Sequence, residues 1–231
     1  MSITRLLIAL NVLVYVAMGL HSGSWITFDG RTEVLFGADY APLVLRGEWF
    51  RLLTCVFLHG GILHIGMNMI ALNQVGVMLE PFYGRLRFVS IYLASGICAS
   101  LASLLLHKVP TLSVGASGAI AGLIGAGVVA GQVVGTDQGK RFRDGMLRWA
   151  GTIVVFGFMV PGIDNASHAG GFVAGILAAA AISPTLRRHL RGGTPRVESA
   201  LELPAASAIL LVAVAAAFFF AYRSAQLLLS S

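Results

Sequence analysis

The chain has 231 residues, of which 57% are hydrophobic and only 11% charged, with a mean hydropathy of +0.83. A soluble domain carries about 25% charged residues and about half apolar ones, so the composition excludes an ordinary soluble fold and fits an all-α polytopic membrane protein built as one bundle. The net charge of +6 does not point to nucleic acid, because the basic residues flank the apolar runs.

Taken in chain order, the first span runs from about Leu6 to Leu20 behind Arg5. No Ala-x-Ala cleavage site closes it and further spans follow, so it reads as a span rather than a signal peptide. His21 to Glu48 is too polar to span and, with Trp25, Phe28, Phe36 and Tyr40, too aromatic for a plain linker. It is expected to be an interfacial loop. A second span is expected from Arg51 to Leu79, and it carries His59, His64, Asn68 and Asn73. A turn at Glu80 to Arg85 leads to a third span, Phe88 to Leu106, and a connector, His107 to Leu112, leads to a fourth, Gly115 to Val134. A charged loop, Thr136 to Arg148, precedes a fifth span at Trp149 to Pro161. Asp164 to His168 opens a sixth that ends near Ile182, and a seventh covers Pro204 to Tyr222. Residues 1–183 are therefore expected to form a six-span core, 184–203 a basic cytoplasmic linker, and 204–231 the seventh span with a short C-terminal segment.

Lys and Arg favour the cytoplasmic side. With the N-terminus cytoplasmic, that side holds Arg5, Arg85, Arg87, Lys140, Arg141, Arg143, Arg148, Arg187, Arg188, Arg191 and Arg196, or 11 of the 16 basic residues. The other side holds Arg31, Arg46, Arg51, Lys108 and Arg223. The same count brings Ser117, the start of the second span and His168 to the outer side.

Polar side chains within spans are costly and usually face the bundle interior. His64 and Asn68 are four apart and share a helix face. His59, read on the same helix, lies about 140° round from His64, and a structural hydrogen-bonded cluster is the competing reading of all three. Ser117 stands between Gly115 and Gly118 at the start of an apolar run, where the first backbone N–H groups of a helix have no internal acceptor. Gly118 with Gly122, and Gly171 with Gly175, make two small-xxx-small faces that permit close helix approach. If they pack together, His168 comes within reach of Ser117. A serine nucleophile needs such a base, and His64, Asn68 and the Ser117 backbone N–H are candidate oxyanion donors. No carboxylate lies within a span beside these groups, so the arrangement reads as a Ser–His dyad. Asp164, four residues before His168, reads as an interfacial loop residue. Cys55 and Cys98 form no CxxC or metal spacing and read as small core residues. No metal or cofactor is implied.

Gly115-Ala116-Ser117-Gly118, the His59…His64…Asn68 cluster, Glu80…Gly84…Arg87 and His168 with Gly171 and Gly175 together resemble the rhomboid intramembrane serine proteases. The resemblance covers residues 1–183. It implies a rhomboid-like six-helix bundle plus one C-terminal transmembrane helix, with Ser117 as nucleophile and His168 as general base. It also implies His64 and Asn68 as oxyanion contributors with Gly115 beside them, His59 as a supporting residue, and transmembrane proteins of the lipid bilayer as substrates. The expected location is a bacterial inner membrane with the N-terminus cytoplasmic. Two positions depart from the pattern. The family's Trp-Arg pair at the end of the first loop reads Phe50-Arg51, with Trp49 before it, and the aromatic ring four residues past the nucleophile is replaced by Ala121. The competing functions are a transporter and a catalytically inactive rhomboid-like binder.

Overall fold

The computed structural model describes residues 2–107, 111–191 and 202–230. Seven long helices dominate it: α1 (Ile3–Ser22), α5 (Ile62–Tyr83), α6 (Arg85–Leu106), α7 (Ser117–Val134), α8 (Asp137–Met159), α9 (Asn165–Arg191) and α10 (Glu202–Ser230). Between α1 and α5 lie three short helices, α2 (Gly30–Phe36), α3 (Ala41–Val44) and α4 (Arg51–Thr54), and a two-residue strand, β1 (Asp39–Tyr40). A second strand, β2 (Leu112–Ser113), precedes α7 and pairs antiparallel with β1. Among the described residues six helices are long and apolar enough to cross a membrane, and the fold is an all-α polytopic bundle.

Helix α7 is the central element, and its faces are buried against α5, α6, α8 and α9. It has few large side chains because its neighbours come close on every side. α9 lies against it backbone to backbone: a Cβ at Gly171 or Gly175 would strike the backbone of Gly118 or Gly122. Met146 of α8 closes on Gly127. On the opposite side α5 is tied in by the Tyr83 hydroxyl, which donates to the Ala126 carbonyl at 2.7 Å.

Three expected boundaries change. The run Arg51–Leu79 is not one helix. α4 passes into a 3₁₀ turn at Cys55–Phe57, and residues 58–61 are extended before α5 begins at Ile62. The first loop holds this break open: Phe28 N–H donates to the Gly60 carbonyl and Ile62 N–H to the Ile26 carbonyl, each at 3.0 Å. The turn expected from Glu80 is helical as far as Tyr83, with Pro81 in the last turn, and Gly84 alone breaks the chain. The charged stretch Thr136–Arg148 is helix, not loop. Thr136 Oγ1 accepts from Gly139 N–H and Asp137 favours the positive helix start, so α8 begins far before Trp149. Its charged first half keeps α8 out of the apolar set, yet Gly139 meets Gly131 at the end of α7 and Gly157 meets Asn165 at the start of α9. α8 thus runs the length of the bundle.

α9 likewise continues past 183 to Arg191, and residues 192–201 of the expected linker lie outside the described residues. Cys55 is buried as expected, but Cys98 is exposed on the surface of α6. α10 packs on α6, α1 and the first loop, where Phe220 stacks on Phe50 with ring centroids 6.5 Å apart.

At the other end of the bundle, Glu80 is buried and receives three donors from the start of α1: Ile3 N–H at 2.8 Å, Thr4 N–H at 2.9 Å and Thr4 Oγ1–H at 2.6 Å. A carboxylate on the free N–H groups of a helix start satisfies donors and dipole together.

Candidate active site

The residues singled out in the sequence converge at one end of the bundle, contributed by three elements: the starts of α5, α7 and α9. Ser117 is the first residue of α7, and its hydroxyl lies 2.8 Å from Nε2 of His168, in the first turn of α9. A proton on Nδ1 leaves Nε2 to accept from the Ser117 hydroxyl. Nδ1 itself is buried with no hydrogen-bond partner among the described residues. Among the described residues no carboxylate is hydrogen-bonded to the His168 ring.

Gly115 sets how the chain enters α7. Its φ of +125° lies in the region that favours glycine, and a Cβ there would stand 2.7 Å from His64 Nε2 and 3.6 Å from Asn68 Nδ2. Both side chains of the predicted α5 face thus look onto the turn before Ser117. Asn68 is buried, and its Nδ2 has no acceptor among the described residues. A buried amide donor without a partner is uncommon. This one looks onto the turn at Gly115, two residues before Ser117, whose backbone N–H opens a helix.

His59 differs from its expected position. It lies in the extended stretch before α5, so helical spacing does not describe it. Its buried ring instead meets His64 edge-on, with centroids 5.0 Å apart. Ala121 is buried. The four glycines, Gly118, Gly122, Gly171 and Gly175, form the seam of α7 with α9, so the separation of Ser117 from His168 is set by main chain on both sides.

Asp164 has a different part from the loop residue expected. Its Oδ1 accepts from Ser167 N–H at 2.9 Å, capping α9, and its Oδ2 accepts from the Ser113 hydroxyl at 2.8 Å. Its carbonyl accepts from His168 N–H at 3.1 Å. Ser113 precedes Ser117 by four residues, as Asp164 precedes His168, so this bridge runs beside the Ser117–His168 contact and joins the same two chain segments. Sequence reading missed Ser113; its only signal is a hydroxyl at the matching offset.

The first loop closes over this region. Arg51 is buried and donates from Nη1 to the carbonyls of Val34 (2.8 Å) and Ala38 (3.1 Å), while its Nη2 pairs with Glu48 at 2.7 Å. Anchoring thus falls to the guanidinium. Phe50 turns to α10, and Trp49 is exposed. Asp39 of β1 is also buried. Burial, and next the charge of Asp164, raise its carboxyl to about 7 against the opposing influence of Arg51 and His107. Glu33 of α2 is raised to about 7 by burial and by Asp29.

Comparison with known proteins agrees with this architecture. Residues 46–185 match the Rhomboid domain family. The chain is 40% identical over 225 residues to Rhomboid protease GluP of Bacillus subtilis (strain 168), covering 94% of this chain and 40% of that protein. It is 38% identical over 143 residues to RHOMBOID-like protein 5 of Arabidopsis thaliana, covering 60% of this chain and 46% of the relative. It is 36% identical over 148 residues to Rhomboid-like protease 1 of Toxoplasma gondii, covering 62% and 50%. The chain thus spans half or less of the length of each of these relatives. With the family match covering well over half of its residues, the chain belongs to the rhomboid family.

Proposed function

We propose that the chain is an intramembrane serine endopeptidase that cleaves transmembrane proteins near the outer face of the membrane. The observation that carries this reading is the 2.8 Å contact between Ser117 Oγ and His168 Nε2, at the end of a seam where two helices touch through glycine. In this mechanism His168 Nε2 takes the Ser117 proton as Oγ attacks the scissile carbonyl, and returns it to the leaving amine. The oxyanion is received by Asn68 Nδ2–H, His64 and the Ser117 N–H, donors that each contribute on the order of 3 kcal/mol to such intermediates. His59 holds the His64 ring from behind, edge to face. Water then releases the acyl-enzyme.

A transmembrane helix hides its carbonyls in internal hydrogen bonds, so the substrate must unwind at the cut. Segments weakened by Gly or Pro suit this, and the glycine-lined approach favours small side chains. The basic-residue count supports a cytoplasmic N-terminus and an outward-facing site in a bacterial inner membrane. The Bacillus and Toxoplasma relatives are both named as proteases, which agrees with a hydrolase.

The test is cleavage of a model transmembrane substrate in detergent, with fluorophosphonate labelling alongside. Ser117→Ala is expected to abolish both, and His168→Ala to abolish labelling of Ser117. Undiminished cleavage by Ser117→Ala would overturn the assignment, and labelling that survives His168→Ala would overturn the dyad.

A further inference from the structure

Far from the site, α8 presents two arginines that the proteolytic reading does not use. Arg141 and Arg148 line an open groove of about 450 Å³ between α8 and the end of α5, with Gly145, Trp149, Thr152 and Met78 among its other walls. The two carboxylates of α8 are engaged elsewhere: Asp137 with Lys140 at 3.1 Å and Asp144 with Arg143 at 2.8 Å. Among the described residues neither Arg141 nor Arg148 has an acidic partner.

The depth of Arg148 makes this unusual. Met146 lies against Gly127, and Gly127 is seven residues, about 10 Å of helix rise, from the basic end of α7 at Val134. Arg148 is two residues further along, near the middle of α8, which runs the length of the bundle, and it is exposed. A cation at that depth on the lipid-facing surface is costly unless it reaches back to the interface or meets an anion. Arg148 does reach back: its Nη2 lies beside Gly145, 3.7 Å from where a Cβ would stand. Gly145 leaves open the space between the two arginines, which are seven residues, or about two helical turns, apart in sequence. Beyond it, exposed Met78 and Val77 of α5 continue the wall as apolar surface.

We propose that this groove is a binding site for an anionic phospholipid, whose phosphate sits between Arg141 and Arg148 and whose acyl chain lies along Trp149 and Met78. Guanidinium forks match phosphate oxygens, and basic pockets between helices on the inner side suit anionic headgroups. The short apolar half of α8, which starts only at Trp149, selects a ligand already in the bilayer over a free ion. The site is independent of Ser117 and His168.

The full chain in neutral detergent would be titrated with phosphatidylglycerol or phosphatidylcholine, and retained lipid counted by native mass spectrometry. Phosphatidylglycerol is expected to be retained at about tenfold lower concentration, unaffected by millimolar inorganic phosphate. Arg141→Gln with Arg148→Gln should remove that preference, whereas Arg5→Gln with Lys140→Gln, an equal charge loss on the same side, should keep it. Gly145→Leu, which fills the space while leaving the charge intact, should also remove it, so a folding defect in the arginine pair would not spare the proposal. Equal retention of the two lipids, an unchanged preference in the arginine or Gly145 variants, loss in the control pair, or full competition by inorganic phosphate would each overturn it.

Discussion

At Asp164 a single carboxylate joins three tasks: it caps α9, it receives Ser113, and its residue's carbonyl holds the backbone of His168. From sequence it reads as an interfacial loop residue; in the structure its carboxylate instead accepts from the Ser167 backbone and the Ser113 hydroxyl. Its expected effect is on alignment rather than on proton transfer. Ser113→Ala removes one bridge and is expected to lower kcat several-fold with little change in KM. Asp164→Ala removes cap and bridge together and should lower kcat more, while the double variant should match Asp164→Ala alone, because the two side chains share one interaction. Fully additive losses in steady-state cleavage would show that the bridge does not act as a unit. The pH dependence of kcat should keep its shape in Ser113→Ala, which removes no charge.

Among the elements, the most informative in sequence were those whose glycines meet. Gly118, Gly122, Gly171 and Gly175 were legible as close-packing faces because glycine at i and i+4 permits little else, and they brought Ser117 and His168 together before any coordinates. The break before α5 was not legible. Cys55-Val56-Phe57-Leu58 reads as apolar continuity, and the hydrogen bonds that hold residues 58–61 extended come from the first loop, more than 30 residues away in sequence. The pairing of β1 with β2 was hidden for the same reason: two residues carry no periodicity. Glu80 was visible as a motif residue, but not as the cap of α1. Glu80→Ala would leave the Ile3 and Thr4 donors buried without an acceptor, at a cost of about 3 kcal/mol or more. The expected outcome is a lower unfolding temperature in detergent with α1 detaching first, read by faster proteolysis near the N-terminus. Glu80→Gln, which keeps an acceptor, should recover part of the loss.

For the whole molecule, the polar groups are segregated: the site and first loop at one end, the Glu80 cap and charged half of α8 at the other. The docked first loop contains the acid expected to govern its stability with pH. Asp39 is raised from an ordinary value of 3.8 to about 7, so between those values the folded loop holds more protons than the unfolded one. Stability from this group is therefore complete below about pH 4 and is lost as pH rises through 7. Asp39→Asn should remove that dependence. Its unfolding temperature should equal that of the wild type near pH 4 and exceed it increasingly toward pH 8, and parallel curves would refute the assignment. Glu33, raised in the same direction, predicts that some slope survives the substitution. This behaviour could not be read from sequence, since the burial of Asp39 depends on Arg51 fastening the loop at Val34 and Ala38. α10 adds to that fastening through Phe220 on Phe50, a contact that couples the last helix to the cover of the site.

The seam between α7 and α9 has one more implication. An interface made of glycine backbone has no rotamers, so it cannot loosen by degrees as a leucine-packed interface does. Where Gly118 and Gly122 meet Gly171 and Gly175, heating, a thicker bilayer or an awkward substrate finds no side chain of those four residues to rearrange, and the two helices either touch or part. The hydroxyl and the imidazole at its end are thereby held to a fixed gauge. Accommodation of a substrate must be supplied by the neighbours that carry exposed, exchangeable side chains, α5 and α8.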